Sequence, residues 1–70
     1  MQRYPVSSSN ISSIGYDQRS ATLEVEFTSG DVYRYFDVPE HLHQQFLHAT
    51  SLGQFLNDNI RYRYRYQKIS

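Results

Sequence analysis

The clearest pattern in the chain is a strict alternation of polar and apolar residues between Ala21 and Phe27, where Thr-Leu-Glu-Val-Glu-Phe follows the alanine. A period of two is typical of a β-strand with one buried and one solvated face. We therefore predict a strand here. Its leucine, valine and phenylalanine face a core, and its two glutamates face solvent.

The residues before this strand carry a weaker form of the same pattern. Ile14 and Tyr16 lie on one face of a strand predicted over residues 11–16, and the glycine between them weakens that strand or marks a bulge. The four polar residues after Tyr16 favour a hairpin loop. Residues 1–13 are rich in serine and other polar side chains, so we expect an extended arm that joins the sheet late.

A third strand follows the Thr-Ser-Gly connection at residues 28–30, and the length of this loop decides where its tyrosines point. If Gly30 closes a three-residue loop, both tyrosines share the apolar face. The pairs are then Val25 with Tyr33 and Leu23 with Tyr35. If the loop has only two residues, the pairing shifts by one and both tyrosines face solvent. We favour the three-residue loop, because glycine in its last position suits a type I turn followed by a bulge.

Two short helices are predicted after the third strand. Pro39 is typical of a helix start, and the first helix presents one apolar stripe before it ends near Thr50. The stripe consists of Leu42, Phe46 and Ala49. Ser51 and Gln54 form a capping-box pattern that starts a second helix. Its buried residues are predicted to be Leu52, Phe55, Leu56 and Ile60.

The segment from Ile60 to Tyr66 alternates perfectly between apolar or aromatic residues and three arginines. On periodicity alone it predicts a strand. However, Ile60 and Tyr64 also lie four residues apart, as on one face of a helix. We favour an extension of the second helix to about residue 62 followed by an extended tail, with a fourth strand as the alternative.

These elements predict one α+β domain over residues 1–70, with its core over about residues 6–69. The predicted architecture is a three-stranded antiparallel β-meander followed by two short α-helices packed on one face, with a basic C-terminal tail. Seventy residues lie near the smallest size at which an apolar core suffices alone.

Composition and charge narrow the classes of function. The chain has no cysteine, which excludes disulfides and cysteine-based zinc sites. No apolar run is long enough to span a bilayer and no signal-peptide pattern is present, so we expect a cytoplasmic protein with no membrane partner. The net charge is zero, but residues 1–60 hold three arginines and seven acidic residues, whereas residues 61–70 hold four basic residues and no acid. This imbalance leaves room for a local phosphate contact at the tail.

Side chains with catalytic chemistry are sparse. His41, His43 and His48 are the only histidines. The first and last are about 10 Å apart along a helix, and no two are spaced four residues apart to grip one metal. No Ser-His-Asp pattern or phosphate loop is present. Asn10 and Asn57 are interpreted as hydrogen-bonding residues at a turn or a helix end. We therefore expect neither an enzyme nor a metal or cofactor site.

An ordered set of residues resembles the KTSC domain, which is named after a C-terminal appendage of some lysyl-tRNA synthetases. The set comprises Ser9-Asn10, Ile14-Gly15-Tyr16, Leu23-Glu24-Val25, Phe27, Gly30, Tyr33-Arg34-Tyr35, Val38-Pro39, Ala49, Ser51, Gly53, Phe55, Asn57, Ile60, Arg61, Tyr64 and Ile69. The resemblance covers the chain from about Val6 to Ile69. It implies a small bacterial domain for which RNA is a suspected ligand. The unbroken Arg-Tyr alternation of the tail departs from the family's usual ending, which glycine and proline interrupt.

The leading hypothesis is a small noncatalytic binding module with RNA as its ligand. Tyrosines stack on unpaired bases and basic side chains meet phosphates in single-strand binders. The candidate RNA-binding residues are Tyr33, Arg34, Tyr35, Arg61, Arg63, Tyr64, Arg65 and Lys68. The competing interpretation is that Tyr33 and Tyr35 pack in the core and that the arginines line a solvated edge.

The alternative function is a protein-interaction module or a homodimer. Seven tyrosines and four phenylalanines are more aromatic surface than a core of this size readily hides. A hairpin register that leaves Val32 and Phe36 on the outer face of the sheet gives that face an apolar patch. A second copy of the chain is then a candidate partner.

Overall fold

Five strands and two helices follow one another in the computed structural model, which describes residues 1–70. They are β1 (Arg3–Pro5), β2 (Ile11–Asp17), β3 (Thr22–Phe27), β4 (Val32–Tyr35), α1 (Glu40–Leu47), α2 (Leu52–Asn59) and β5 (Tyr66–Lys68). The strands form one antiparallel sheet in the order β1-β2-β3-β4-β5. The α+β class is confirmed. Neither helix is both long and apolar enough to cross a membrane.

The predicted three-stranded sheet is wrong in its strand count, because both chain ends add a strand. The N-terminal arm pairs with β2, placing Tyr4 opposite Ile14. At the other end, β5 pairs with β4, placing Tyr66 opposite Tyr35. Each added strand satisfies backbone groups on an edge that a three-stranded sheet would leave open.

The favoured conformation of the tail is also wrong, since α2 ends at Asn59 and does not continue to residue 62. Ile60 caps the helix and is completely buried. The Arg61 amide then donates to the Leu56 carbonyl, five residues back, which breaks the α-helical ladder. A turn over residues 61–64 returns the chain to the sheet. The alternative, a strand over the alternating segment, is also wrong, because residues 61–64 form this turn and β5 shares only Tyr66 with that segment.

The predicted register of the β3–β4 hairpin is confirmed. Gly30 has φ 98°, and its amide donates to the Phe27 carbonyl at 2.9 Å. The pairs are Leu23 with Tyr35, Glu24 with Arg34 and Val25 with Tyr33. Because side chains of paired residues share a face, Tyr33 and Tyr35 lie on the apolar face of the sheet.

Both helices pack on this apolar face and close the core. Phe46 of α1 is completely buried, and its ring stacks on that of Phe55 of α2 at a centroid distance of 5.7 Å. Ser51 caps α2 as predicted, since its Oγ accepts a hydrogen bond from the Gln54 amide at 3.3 Å. The core consists of Ile11, Ile14, Leu23, Val25, Tyr35, Val38, Phe46, Leu56 and Ile60.

Candidate functional site

A groove of about 410 Å³ opens between the sheet and α2. The sheet contributes the rings of Tyr33, Tyr35 and Tyr66, and the end of α2 contributes Asn57 and Arg61. Its volume is within the range typical of small-ligand sites. The groove therefore combines an aromatic surface with hydrogen-bonding and cationic side chains.

The aromatic surface is a cluster of three tyrosines, which we name the tyrosine wall (Tyr33, Tyr35 and Tyr66). Tyr66 lies 5.8 Å from Tyr33 and 6.0 Å from Tyr35, measured between ring centroids. Tyr35 is 2% exposed, Tyr33 is half-buried and Tyr66 is 55% exposed. Tyr35 is thus part of the core, and Tyr66 offers the most ring surface to a ligand.

The phenol of Tyr35 stays protonated over the physiological range. Burial raises its pKa to about 12, the neighbouring Arg61 acts to lower it, and Tyr33 and Tyr66 add to the increase. The Tyr35 member of the tyrosine wall is therefore neutral.

Asn10 lies at the groove between β3 and α2, and its main chain is fixed. Its carbonyl accepts from the Thr28 amide at 2.9 Å, and its amide donates to Ser8 Oγ at 3.3 Å. Its carboxamide packs on Gly53, where an added Cβ would lie 3.2 Å from Asn10 Nδ2. Asn10 is exposed and its carboxamide has no hydrogen-bond partner within the chain, so a ligand can reach it.

Arg61 stands at the end of α2 and is oriented by its neighbours. Its Nη1 donates to Asn57 Oδ1 at 3.2 Å, and its guanidinium carbon lies 5.4 Å from the ring centroid of Tyr62. No carboxylate lies within ion-pair distance of Arg61 or of Arg63. These two arginines therefore keep their charge available for an anionic partner.

Arg34 lies on the opposite face of the sheet from Tyr33 and Tyr35. Its Nε donates to Glu24 Oε1 at 2.9 Å, and Glu24 also pairs with Arg3. The predicted Tyr33-Arg34-Tyr35 clamp is thus not formed, because successive side chains of a strand point to opposite faces.

The remaining predicted residues lie outside the groove. Tyr64 is half-buried against the core, and Arg63 is exposed in the turn after α2. Arg65 lies over the ring of Phe36 at 5.0 Å. Lys68 Nζ is 3.5 Å from Asp31 Oδ1, at the edge of the groove. Of the eight predicted RNA-binding residues, the structure brings together Tyr33, Tyr35 and Arg61.

Tyr66, Asn10 and Asn57 line the groove but are not among the residues predicted from the sequence. The Arg-Tyr alternation does not identify Tyr66, because residues 61–64 form a turn and β5 begins at the last position of the alternating segment. Asn10 and Asn57 were identified only as hydrogen-bonding residues. Their convergence depends on the packing of α2 against the start of β2, which no local pattern encodes.

The histidines of α1 are spread over its surface. The ring of His43 stacks on that of Tyr16 at a centroid distance of 4.4 Å. Burial lowers the pKa of His43, and nearby Glu40 acts in the opposite direction. His48 Nδ1 is 2.8 Å from the Gln44 carbonyl oxygen. No group of three or more histidine, aspartate or glutamate side chains converges on one point.

The outer face of the sheet is organised by Glu24, which is 3% exposed. Arg3, Gly15, Glu24 and Arg34 lie in register across four strands. A Cβ at Gly15 would lie 3.0 Å from Arg3 Cγ and 2.6 Å from the Gln2 carbonyl oxygen. The glycine thus lets Arg3 cross β2 and reach Glu24, which ties β1 to the centre of the sheet.

Replacing Glu24 by glutamine is expected to destabilise the fold by about 1–2 kcal/mol at neutral pH, because both arginines lose a buried anion but retain some access to water. Burial alone would raise the pKa of Glu24, but hydrogen bonds and charge from Arg34 and Arg3 lower it below its ordinary value of 4.5. The stabilisation is therefore present above that pH and is lost as the pH falls through the lowered pKa.

Urea unfolding of the parent and the Glu24→Gln variant, measured from about pH 7 to about pH 3, checks this prediction. The difference in free energy of unfolding should shrink as the pH falls. A difference that is independent of pH would show that the carboxylate charge contributes nothing.

Comparison with known proteins places these features in a family. The family model described as the KTSC domain matches residues 7–64. A protein of Stutzerimonas stutzeri is 44% identical over 70 residues, and the match covers 99% of each chain. A lysine–tRNA ligase of Nostoc punctiforme is 37% identical over 60 residues, which cover 86% of this chain but 11% of the ligase.

The fold of this chain is similar to that of a solved structure. The crystal structure of a KTSC domain protein from Yersinia pestis matches this chain with a TM-score of 0.95 and 45% sequence identity. The match covers 99% of this chain and 97% of the other. The resemblance noted in the sequence is confirmed, and the chain belongs to the KTSC domain family.

Proposed function

We propose that this domain is a noncatalytic module that binds unpaired nucleotides of RNA in the groove between the sheet and α2. The observation that carries the proposal is the tyrosine wall beside Arg61, in one groove of about 410 Å³. Single-strand binders combine aromatic rings, on which bases stack, with cations that meet the phosphates. Here Tyr66 and Tyr33 supply the rings.

The distribution of charge supports this placement. Four basic side chains have a carboxylate partner. Arg3 and Arg34 pair with Glu24, and Lys68 pairs with Asp31. Arg65 Nη2 lies 3.9 Å from Asp37 Oδ2. Arg61 at the groove and Arg63 in the turn that follows α2 have no carboxylate partner. With two such cations, affinity should be modest and the salt dependence shallow, with a slope of about −1.4 for single strands.

The ligase relatives add support of a different kind. Three proteins that share 34–37% identity with this chain are named lysine–tRNA ligases, and the shared segment is a tenth or so of each. Those names refer to enzymes that act on tRNA. A domain carried on such an enzyme is well placed to contact RNA, and we extend that ligand class to this chain.

Replacing Arg61 by glutamine is expected to weaken RNA binding and to reduce the salt slope by about 0.7, the share of one phosphate contact on a single strand. The measurement is fluorescence anisotropy with a short unstructured RNA at two salt concentrations. Arg19→Gln is the matched control, since Arg19 is exposed in the β2–β3 turn and does not line the groove.

The control variant should bind as the parent protein does. Equal losses of RNA affinity in the Arg61 and Arg19 variants would mean that binding depends on the overall charge of the protein and not on this groove. No binding by the parent to single-stranded or double-stranded RNA would remove the proposed function.

Self-association or binding of another protein is the second candidate. It is favoured by a cleft of about 430 Å³ beside β1 and α1, where Tyr4 is 60% exposed and Leu47 is 41% exposed. The outer-face patch expected from the sequence is smaller than predicted, because Val32 is buried and Phe36 lies beneath Arg65. Light scattering over a range of concentrations separates the two functions: a mass that doubles supports a dimer.

A further inference from the structure

The groove contains a hydrogen-bonding group that the proposed stacking and phosphate contacts do not use. This group is the carboxamide of Asn10, which has no partner in the chain although the main chain of Asn10 is held by Ser8 and Thr28. Asn10 is exposed and its main chain is held, so only its side-chain rotamers have to be ordered when a ligand binds.

The second carboxamide of the groove is less available. Asn57 Oδ1 already accepts a hydrogen bond from Arg61. One of the two lone pairs of Asn57 Oδ1 is thereby occupied, whereas the carbonyl acceptor and the amino donor of Asn10 are both unengaged within the chain. Asn10 is therefore the one carboxamide in the groove that has no hydrogen-bond partner within the chain.

At the N7 edge of a purine, an adjacent donor and acceptor distinguish adenine from guanine. Adenine presents its N6 amino donor beside its N7 acceptor, and a carboxamide binds this edge through two hydrogen bonds. The corresponding edge of guanine presents two acceptors, N7 and O6, and pairs with arginine or lysine instead. Arg61 is the arginine of the groove. Its guanidinium group donates a hydrogen bond to Asn57 Oδ1 and lies near the ring of Tyr62. A purine also offers more ring area to the tyrosine wall than a pyrimidine does.

We propose that the groove is selective for an unpaired adenine, with the base against the tyrosine wall and its N6–N7 edge on the carboxamide of Asn10. This inference rests on the proposed RNA-binding function and adds the identity of the base. Gly53 contributes to this site because it has no side chain. A Cβ at this position would lie 3.2 Å from Asn10 Nδ2 and would crowd the carboxamide.

The test uses the full chain and short uridine-rich RNAs that differ only in one central base, which is adenine, guanine, cytosine or uracil. We expect the adenine RNA to bind about tenfold more tightly than the others, the discrimination typical of one bidentate contact. Purine riboside at the central position keeps the ring but lacks the amino group, and it should lose most of this advantage.

Two variants locate the preference. Asn10→Ala removes the carboxamide, and Gly53→Ala displaces it while adding a better helix former to α2. Both should bind the four RNAs with nearly equal affinity. An adenine preference that survives in both variants would overturn the role of Asn10.

The two proposals fail in different ways. Equal binding of the four RNAs by the parent would overturn adenine selectivity and leave RNA binding intact. Absence of binding to all four would overturn the proposed function and this inference with it.

Discussion

Replacing Tyr35 by alanine is expected to lower the free energy of unfolding by about 3–5 kcal/mol, because the ring is 2% exposed and its loss leaves a large cavity. A chain of 70 residues has a total stability of roughly 4–10 kcal/mol, so this substitution should remove at least about a third of it. Urea unfolding followed by circular dichroism measures the loss.

Tyr33→Ala is the control, since Tyr33 is the neighbouring tyrosine on the same face but is only half-buried. The Tyr33→Ala variant should lose clearly less free energy of unfolding than the Tyr35→Ala variant, and it should remain folded. An equal or larger loss at Tyr33 would mean that this ring belongs to the core and is not a surface for a ligand.

Replacing Tyr66 by alanine is expected to weaken binding of a short unstructured RNA by about 5- to 150-fold, which corresponds to the 1–3 kcal/mol of one base–aromatic stacking contact. The ring is 55% exposed and lies within 6.0 Å of both other members of the tyrosine wall. Because so much of the ring is exposed, stability should fall by much less than in the Tyr35 variant. Anisotropy titrations give the affinity, and urea unfolding gives the stability.

Tyr4→Ala provides a matched control for this variant. Tyr4 is 60% exposed and also lies on a short edge strand, but it borders the other cleft. Its RNA affinity should equal that of the parent. If Tyr4→Ala weakens RNA binding as strongly as Tyr66→Ala, the site does not lie at the tyrosine wall.

Features that depend on local chemistry could be predicted from the sequence. The period of two identified β3, and the glycine at position 30 fixed the hairpin register, because only a left-handed residue closes that loop. Ser51 marked the start of α2 through its cap. In each case the residues that determine the structure lie within a few positions of one another.

Features that depend on distant pairing could not be predicted. The β5 strand forms because the free edge of β4 accepts a segment about 30 residues later, as in the pairing of Tyr35 with Tyr66. The alternation from Ile60 to Tyr66 does not mark this strand, because β5 begins where the alternation ends. The groove was missed for the same reason, since Asn10 and Arg61 come from opposite ends of the chain.

The position of Arg34 follows from the favoured hairpin register. A strand that places Tyr33 and Tyr35 on the inner face must place Arg34 on the outer face. The favoured register therefore already separated Arg34 from its neighbours. Its partner, Glu24, lies directly opposite in β3 and carries the opposite charge.

Mapping an RNA titration onto the backbone amides by NMR tests the central claim most directly, because it locates the site without any substitution. Binding in the groove predicts that the largest shifts occur at Asn10, Tyr33, Arg61 and Tyr66. Shifts centred on Tyr4 and the end of α1, or spread over the outer face of the sheet, would contradict it, as would the absence of shifts at saturating RNA.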